Sequence, residues 1–520
     1  MTEITIVWMA LPFFVGFVVY LLPKLARILA LVIALLSTGY AVQIFLQPSP
    51  INLQLLDSFG VTLTIDQLSA FFIITNALVT TAVIFYCWQS SRNHFFYMQT
   101  IILHGSVNAT FVCDDLISLY VALEVISIAS FLLISYPRSD RAIWVGLRYL
   151  FVSNTAMLFY LVGAVMVYQA NHSFNYGGLV NSPLEAIALI CMGLLVKGGI
   201  FVSGLWLPLT HSESETPVSA MLSGVVVKAG VFPLVRFAVM VEEMDPIVRF
   251  FGVATALLGV AYAVFEKDTK RMLAFHTISQ LGFVLAAPVV AGFYALTHGL
   301  VKSALFLLAG NLPSRSFKEL QHKPIHSPIW IALVIASFSI SGFPLLSGFG
   351  AKVLTSKNFL PWQVIAMNIA ALGTAISFAK FIFLPHQNLA FNNNQIVNIS
   401  GNLERGINEK SKQVESSLSI QKIGHSETKK IPAGFWWAMV LLLGGLIAAN
   451  GFYYEAYNLK NVIKPLVTIF LGWLAYIFVF KKLAIKLPRE LERIDHLMGF
   501  MAVMLTLLFW IIWTPLHFLT

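Results

Sequence analysis

The sequence predicts an all-α protein that crosses a membrane many times, and three observations predict it. Of its 520 residues, 58% are hydrophobic and only 11% charged, against about 25% charged in an ordinary soluble chain. Apolar runs near the ~20 residues that a helix needs to cross about 30 Å of hydrocarbon recur from end to end. The basic residues, finally, concentrate in alternate connections between those runs. This excludes a soluble enzyme, a nucleic-acid reader and a secreted scaffold, and assigns the net charge of +9 to membrane topology rather than to a nucleic-acid partner.

Taken in order, the first apolar window is 5–22; with no basic segment before it and no small-residue cleavage site after it, it reads as a span rather than a signal peptide. The second is 27–46, and in the connection that follows, VTLTID alternates apolar and polar as a short strand does. Polar or Pro/Gly breaks then bound spans at 68–87, 94–112, 115–135, 142–170, 184–207, 217–241 and 246–265. Seven more at 272–291, 294–310, 328–356, 361–385, 434–453, 462–480 and 496–517 make sixteen. Connections of one parity hold 22 Lys and Arg residues, including Lys270 and Arg271; those of the other hold only Arg249, Lys357, Lys460 and Lys464. That bias places both termini outside the cytoplasm. The stretch 386–433 is rich in Asn, Ser, Lys and Glu and too short and polar to bury a core, so it is expected to be a polar cytoplasmic loop. The chain therefore divides into N-terminal spans (1–112), a core (113–385), the loop (386–433) and C-terminal spans (434–520). Cys87, Cys113 and Cys191 have no metal-ligand spacing and read as packing residues; no metal, cofactor or phosphate-loop motif is expected.

Seven basic residues remain inside the spans: Arg148, Lys197, Lys228, Arg236, Lys302, Lys352 and Lys380. Glu124 is the deep carboxylate. Each such charge costs about 2.5–3.5 kcal/mol at a helix centre on insertion scales, which makes a pathway or a buried pair the default reading. Lys380 and Arg236 lie near span ends, where snorkelling to the interface explains them. Lys197, Lys228, Lys302, Lys352 and Glu124 have no such exit. Two of these lysines sit beside sequence that interrupts a helix: Lys197 is followed by Gly198, Gly199, Gly204 and Pro208, and Lys352 is preceded by Gly342, Pro344, Gly348 and Gly350. Non-helical backbone at membrane depth is tolerated only where protein or a watery cavity satisfies it. The two breaks fall in the seventh and twelfth spans, five apart, and a five-helix repeat must be inverted in the membrane because five is odd. Inverted repeats with broken helices are the signature of ion-coupled transporters. Tyr294, His298 and Lys302 share one face of the eleventh span, and Tyr120, Glu124 and Ser127 one face of the fifth. A lysine exchanges protons near neutral pH only if its pKa falls about 3 units from its free value near 10.4, a shift that desolvation can supply and a nearby carboxylate opposes. A lysine and carboxylate whose separation changes would therefore act as a proton switch.

These residues also carry a resemblance. DLISLYVALEVISIASFLL from Asp115 resembles the fifth-helix motif of the antiporter-like proton-translocating subunits shared by energy-converting NADH:quinone oxidoreductases and Mrp-type Na+/H+ antiporters. LLVKGGIFVSGLWLPLTHSESETPVSAMLSGVVVKAGVFPLVRF is similar to the seventh and eighth helices, DTKRMLAFHTISQLGF and THGLVKSALFLLAGN to the tenth and eleventh, and GFPLLSGFGAKVL to the broken twelfth. The resemblance implies about 14 core helices with two inverted five-helix repeats, broken helices 7 and 12, and about two extra C-terminal helices. It implies a proton relay of Glu124 paired with Lys197, then Lys228, His298 and Lys302, ending at Lys352. Arg148 matches a basic position of open role. Where the family has Pro and His before Trp-Leu-Pro, this chain has Val202, Ser203 and Gly204. Lys352 looks closest to the D-type chain of Mrp antiporters.

The expected protein is thus a transport subunit, not itself an enzyme, of a multisubunit Na+/H+ antiporter. The alternatives are a proton-pumping subunit of an NAD(P)H- or ferredoxin:quinone oxidoreductase, or a subunit energising inorganic carbon uptake. Its partners would be other membrane subunits, H+, Na+ and the lipid bilayer, with no nucleic acid, in a bacterial plasma membrane or a thylakoid.

Overall fold

A computed structural model describes residues 2–47, 49–56, 60–387, 431–483, 485 and 487–513; most of the expected polar loop lies outside them. The first helices are α1 (Thr2–Leu21), α2 (Ala26–Phe45), α3 (Gln67–Cys87), α4 (His94–Thr110), α5 (Leu116–Ile134) and α6 (Asp140–Asn171). Then come α7 (Leu184–Gly198), α8 (Leu207–Glu213), α9 (Thr216–Met221), α10 (Val227–Met240), α11 (Met244–Phe265), α12 (Thr269–Leu285) and α13 (Ala291–Ala309). The remainder are α14 (Phe317–Leu320), α15 (Ser327–Ser341), α16 (Ser347–Lys357), α17 (Gln363–Ile382), α18 (Ala433–Ala449), α19 (Leu459–Ala475) and α20 (Ile494–Trp513). Among the described residues, thirteen helical stretches are long and apolar enough to cross a membrane. The 17-residue α4 and α12 and the interrupted α15–α16 account for the other three expected spans. VTLTID does form a strand: β2 (Thr62–Ile65) pairs antiparallel with β1 (Ile51–Gln54).

Caps written in the sequence start several helices. Asp66, Asp115 and Asp268 accept the backbone N–H of Ser69, Ser118 and Arg271, satisfying donors that a helix N-terminus leaves free. Asp115 also accepts Thr62 N–H at 2.9 Å, tying the hairpin to the start of α5. Within Thr216–Met240 the apolar 18-residue window is wholly buried and within Pro288–Ala309 89% of it, against 17% within Leu459–Phe480. The bundle is therefore concentric, with the most polar helices enclosed and an apolar rim of residues such as Phe14, Phe17, Val467 and Phe470 facing outward.

Several placements differ from the sequence reading. The tenth span ends at Leu285, short of the expected 291, because Pro288 lacks the N–H that would continue it. Arg249, Lys270 and Arg271 are not loop cations but buried helical residues. Arg249 reaches Asp245, Ala286 O and Asn358 O; Lys270 donates to Ser214 O at 3.0 Å. Arg236 does not snorkel either: it pairs with Asp66. Removing the three misplaced cations leaves the loop bias in the same direction.

The last two spans flank the core. α19 packs on α17, whereas α20 packs on α6 and α7. The segment joining them carries Glu492 inward, 7% exposed, to pair with Arg271, which also binds Glu266 at 3.1 Å. Burial raises the Glu266 carboxyl, but the Arg271 guanidinium outweighs it and holds the group below the usual carboxylate range.

α7 and α10 cross at a pair of glycines: a Cβ on Gly230 would lie 2.3 Å from the backbone nitrogen of Gly198. Gly230→Val should lower the midpoint of thermal unfolding by several degrees, since overpacking costs about 1–3 kcal/mol. Gly444→Ala, where a Cβ meets nothing within 4 Å, should not. Equal midpoints for the two variants would contradict the crossing.

Candidate proton pathway

The seventh and twelfth spans break in the same way. Gly199 (φ +70°) ends α7 and Gly342 (φ +87°) ends α15, both in the left-handed region that glycine enters without steric cost. At each, the glycine N–H returns to the carbonyl three residues back and the next residue's N–H to the carbonyl five back: Gly199 to Val196 and Ile200 to Leu195, Gly342 to Ser339 and Phe343 to Phe338. This pair of bonds is the Schellman motif, which closes a helix inside a protein without orphaning its carbonyls. A 3₁₀ turn, Phe201–Trp206, then leads into α8. The Val202-Ser203-Gly204 departure therefore does not remove the break; Gly199 makes it.

Each lysine touches its break. Lys197, two residues before Gly199, is 3% exposed. Its ammonium donates to Leu123 O (2.9 Å), Ser153 Oγ (2.9 Å) and Ser127 Oγ, which matches its three N–H bonds. Lys352 comes ten residues after Gly342 in sequence, but its stem crosses the break: a Cβ on Gly342 would lie 2.9 Å from Lys352 Cδ. Among the described residues its buried Nζ has no hydrogen-bond partner, and it lies 5.6 Å from the Phe283 ring centroid.

Glu124 is half-buried on α5, with Oε1 unpartnered. Among the described residues no ion pair joins it to Lys197, although the two are within electrostatic reach. Ser127 and Ser153, rather than Glu124, hold the ammonium.

Lys228 follows an irregularity that the sequence reading missed, a π turn over Leu222–Val226 in which Val227 N–H bonds Leu222 O. Such turns recur at functional sites because they leave carbonyls out of the regular ladder. Lys228 Nζ donates to Gly224 O at 2.6 Å. It also lies 3.6 Å from where a Cβ on Gly299 would be, which sets it against α13 beside His298. Lys302, fully buried one turn beyond His298, donates to Leu273 O at 2.5 Å. Tyr294 OH donates to Gln280 Oε1 at 2.7 Å. Lys197, Lys228, His298 and Lys302 are all 3% exposed or less.

Ser153 on α6 was also missed, because spacing within one span does not say which side chain on another will meet it. His211 and His276 were missed too; both are fully buried, and among the described residues neither ring nitrogen of either has a hydrogen-bond partner. Arg148 proves to be a buried tether whose guanidinium binds the backbone carbonyl of Glu492, and Tyr149 packs against Trp206. The snorkelling expected of Lys380 is not found: it donates to Ala263 O (3.1 Å) and Glu266 O (2.8 Å), capping α11.

Residues 113–377, half the chain and all of the broken-helix region, match the family described as NADH:quinone oxidoreductase/Mrp antiporter, TM. The chain belongs to that family. It is 27% identical over 350 residues to the D-type chain of the Na+/H+ antiporter of Alkalihalophilus pseudofirmus, covering 61% of this chain and 70% of that one. It is 28% identical over 363 residues to the N-type chain of the NADH-quinone oxidoreductase of Desulforudis audaxviator, covering 62% and 72%. Among solved structures, the Mrp complex from Dietzia sp. contains a chain that superposes with a TM-score of 0.72 at 21% identity, over 99% of this chain and 61% of that one. A chain of the archaeal membrane-bound sulfane sulfur reductase superposes with a TM-score of 0.69 at 20% identity, over 91% and 98%. This NADH:quinone oxidoreductase/Mrp antiporter family member is accordingly a multi-pass integral membrane protein of the antiporter-like fold.

Because Lys380 caps a helix end, Lys380→Arg should leave thermal stability close to wild type. Lys380→Met strips a charged donor from two carbonyls and should cost about 1.5–3 kcal/mol, measured by thermal unfolding of the purified protein. No loss in the methionine variant would remove the capping role.

Proposed function

We propose that this chain is the proton-translocating subunit of a multisubunit monovalent cation/proton antiporter, with Na+ as the coupling ion. In this reading both termini lie outside the cytoplasm, in a bacterial plasma membrane or a thylakoid. Protons move through Glu124, Lys197, Lys228, His298, Lys302 and Lys352. The observation that carries the reading is the run of buried, unneutralised lysines, each placed at a helix irregularity or against a main-chain carbonyl. A carboxylate partner would hold such a lysine in its charged form, and Lys197, Lys228, Lys302 and Lys352 pair with none among the described residues. Carbonyls and hydroxyls instead hold an ammonium without opposing its deprotonation as a nearby anion does.

The pair at the start works as a switch. When Lys197 swings toward Glu124, the carboxylate favours its charged form; when it returns to Ser127 and Ser153, that bias weakens and the proton can pass toward Lys228. Gly198 and Gly199 let this end of α7 move without rebuilding a full helix. The similarity to the D-type chain of an Na+/H+ antiporter supports Na+ as the coupling ion. The similarity to a chain of a quinone oxidoreductase supports the same relay powered by redox chemistry on other chains.

Purification with its native partner subunits and reconstitution into vesicles containing a pH-sensitive dye separates these couplings. A Na+ pulse should collapse an imposed proton gradient without any quinone. If the gradient responds only to quinone reduction and ignores Na+, the antiporter assignment falls to the redox-driven one.

Arginine keeps a charge but cannot release a proton at working pH. Lys228→Arg and Lys352→Arg should therefore each assemble and lose at least ten-fold in proton flux, and the double variant should be no worse than either single one. Flux retained in both singles would leave these groups only an electrostatic role.

A further inference from the structure

The relay has a gap between its last two lysines. Lys302 is anchored at Leu273 O, and Lys352 lies over Phe283, ten residues further along the same helix, α12. At a rise of about 1.5 Å per residue this is about 15 Å along the helix axis. A proton moves between heavy atoms about 2.6–3.2 Å apart, or through one water, so the two ammonium groups cannot exchange directly. Something between them must receive the proton and pass it on.

A side chain able to do so lies in that interval on α12 itself. His276 lies one turn beyond Leu273 and is fully buried. Its ring packs on Phe378 of α17, with centroids 4.6 Å apart, and both ring nitrogens are without a hydrogen-bond partner among the described residues. A purely structural buried histidine is normally fixed by at least one hydrogen bond, since an unsatisfied polar atom at this depth costs about 1–3 kcal/mol. Two unfilled ring positions are what a two-sided carrier needs, one nitrogen to accept and the other to donate. The cationic groups that reach His276 come from three different elements: Lys302 on α13, Lys352 on α16 and Lys380 on α17. Lys380 is occupied with the carbonyls ending α11, which leaves Lys302 and Lys352 as its exchange partners.

One turn further along α12, polar groups continue the line. Gln280 accepts Tyr294 OH at 2.7 Å and approaches Thr374 Oγ1 at 3.4 Å. An amide does not carry a proton at working pH, but it orients the phenol and any water beside it. Beyond this, Phe283 stacks on Tyr294 with centroids 5.7 Å apart and lies beneath Lys352.

We propose that His276 is a relay residue that carries the proton from Lys302 to Lys352, with Gln280 and Tyr294 as positioning residues on the Lys352 side. The step balances as a proton shift alone. An N–H bond of the Lys302 ammonium breaks and one forms at the facing ring nitrogen, giving an imidazolium. The N–H on the opposite nitrogen then breaks, directly or through water held by Gln280 and Tyr294, and one forms at neutral Lys352 Nζ. No electron changes hands, and the imidazole, neutral again with its N–H on the other nitrogen, regains its starting tautomer by ring rotation or by exchange through water. The inference rests on the relay proposed above and adds the link between its last two members.

The test uses the assembled complex in vesicles. His276→Gln keeps a polar side chain of similar length but cannot carry a proton, and His276→Phe fills the space against Phe378. Both should assemble on native gels and lose at least ten-fold in proton flux. Gln280→Leu should lose less than either, because it positions rather than carries. Lys302→Arg and Lys352→Arg are measured beside them: if these keep wild-type flux, the relay itself is wrong, whereas if they block transport and both His276 variants run at wild-type rate, the bridge alone is wrong. Infrared difference spectra of protein labelled with ¹³C in the histidine rings give a readout that simple packing does not move. An imidazole–imidazolium difference band should accompany a pH jump in the wild type, and the component contributed by His276 should be missing in His276→Gln. Persistence of the whole band in that variant would overturn the proposal even if the phenylalanine variant fails to assemble.

Discussion

The interaction on which this architecture turns is that between a lysine ammonium and a main-chain carbonyl within the bundle. Lys197 donates to Leu123 O, Lys228 to Gly224 O, Lys302 to Leu273 O, Lys380 to Ala263 O and Glu266 O, and Lys270 to Ser214 O. A bare ammonium in hydrocarbon would be prohibitive, and a carboxylate partner would neutralise the cost while fixing the proton. Carbonyl dipoles provide a middle course, stabilising charge without a second titrating group. Lys352 departs from the pattern, with its Nζ unpartnered over an aromatic face.

Carbonyls become available in two ways. A carbonyl in a regular helix has a second lone pair, which Leu123 O and Leu273 O offer to lysines from neighbouring helices. Elsewhere the helix is altered: the π turn before Lys228 and the Schellman motifs at Gly199 and Gly342 rearrange the ladder beside the charged group. Both motifs keep most backbone groups bonded, which is the condition for interrupting a helix at membrane depth. The polar character of the core therefore derives as much from backbone geometry as from side chains.

The C-terminal spans belong to the same electrostatic structure. Glu492, outside the residues that match the family, reaches Arg271 at the head of α12, while its backbone carbonyl takes the Arg148 guanidinium from α6. α20 then lies against α6 and α7, alongside the first broken helix. Glu492 thus tethers two core helices, its carboxylate holding the head of α12, which bears His276, and its backbone carbonyl holding α6, which bears Ser153.

The sequence by itself determined the membrane class, the number and rough limits of the spans, the two breaks and the depth of Glu124, Lys197, Lys228, His298, Lys302 and Lys352. These are properties of one segment at a time, legible because hydropathy, glycine content and isolated charge are local. It also marked VTLTID as a short strand, whose alternation is local. Tertiary structure decided what those charges touch. That Lys197 rests on Ser127 and Ser153 rather than Glu124, that Lys380 caps α11 instead of reaching the interface, and that Arg249, Lys270 and Arg271 are buried all depend on helices distant in sequence. The π turn before Lys228 was not legible either, since LSGVV has no composition that separates it from an ordinary helical turn; its extra residue per turn is set by the neighbours that pack around it. Helical periodicity reports which face a residue occupies, whereas the partner that arrives at that face is chosen by how whole helices pack, and that packing is where the charge of a buried lysine is either trapped or left free to move.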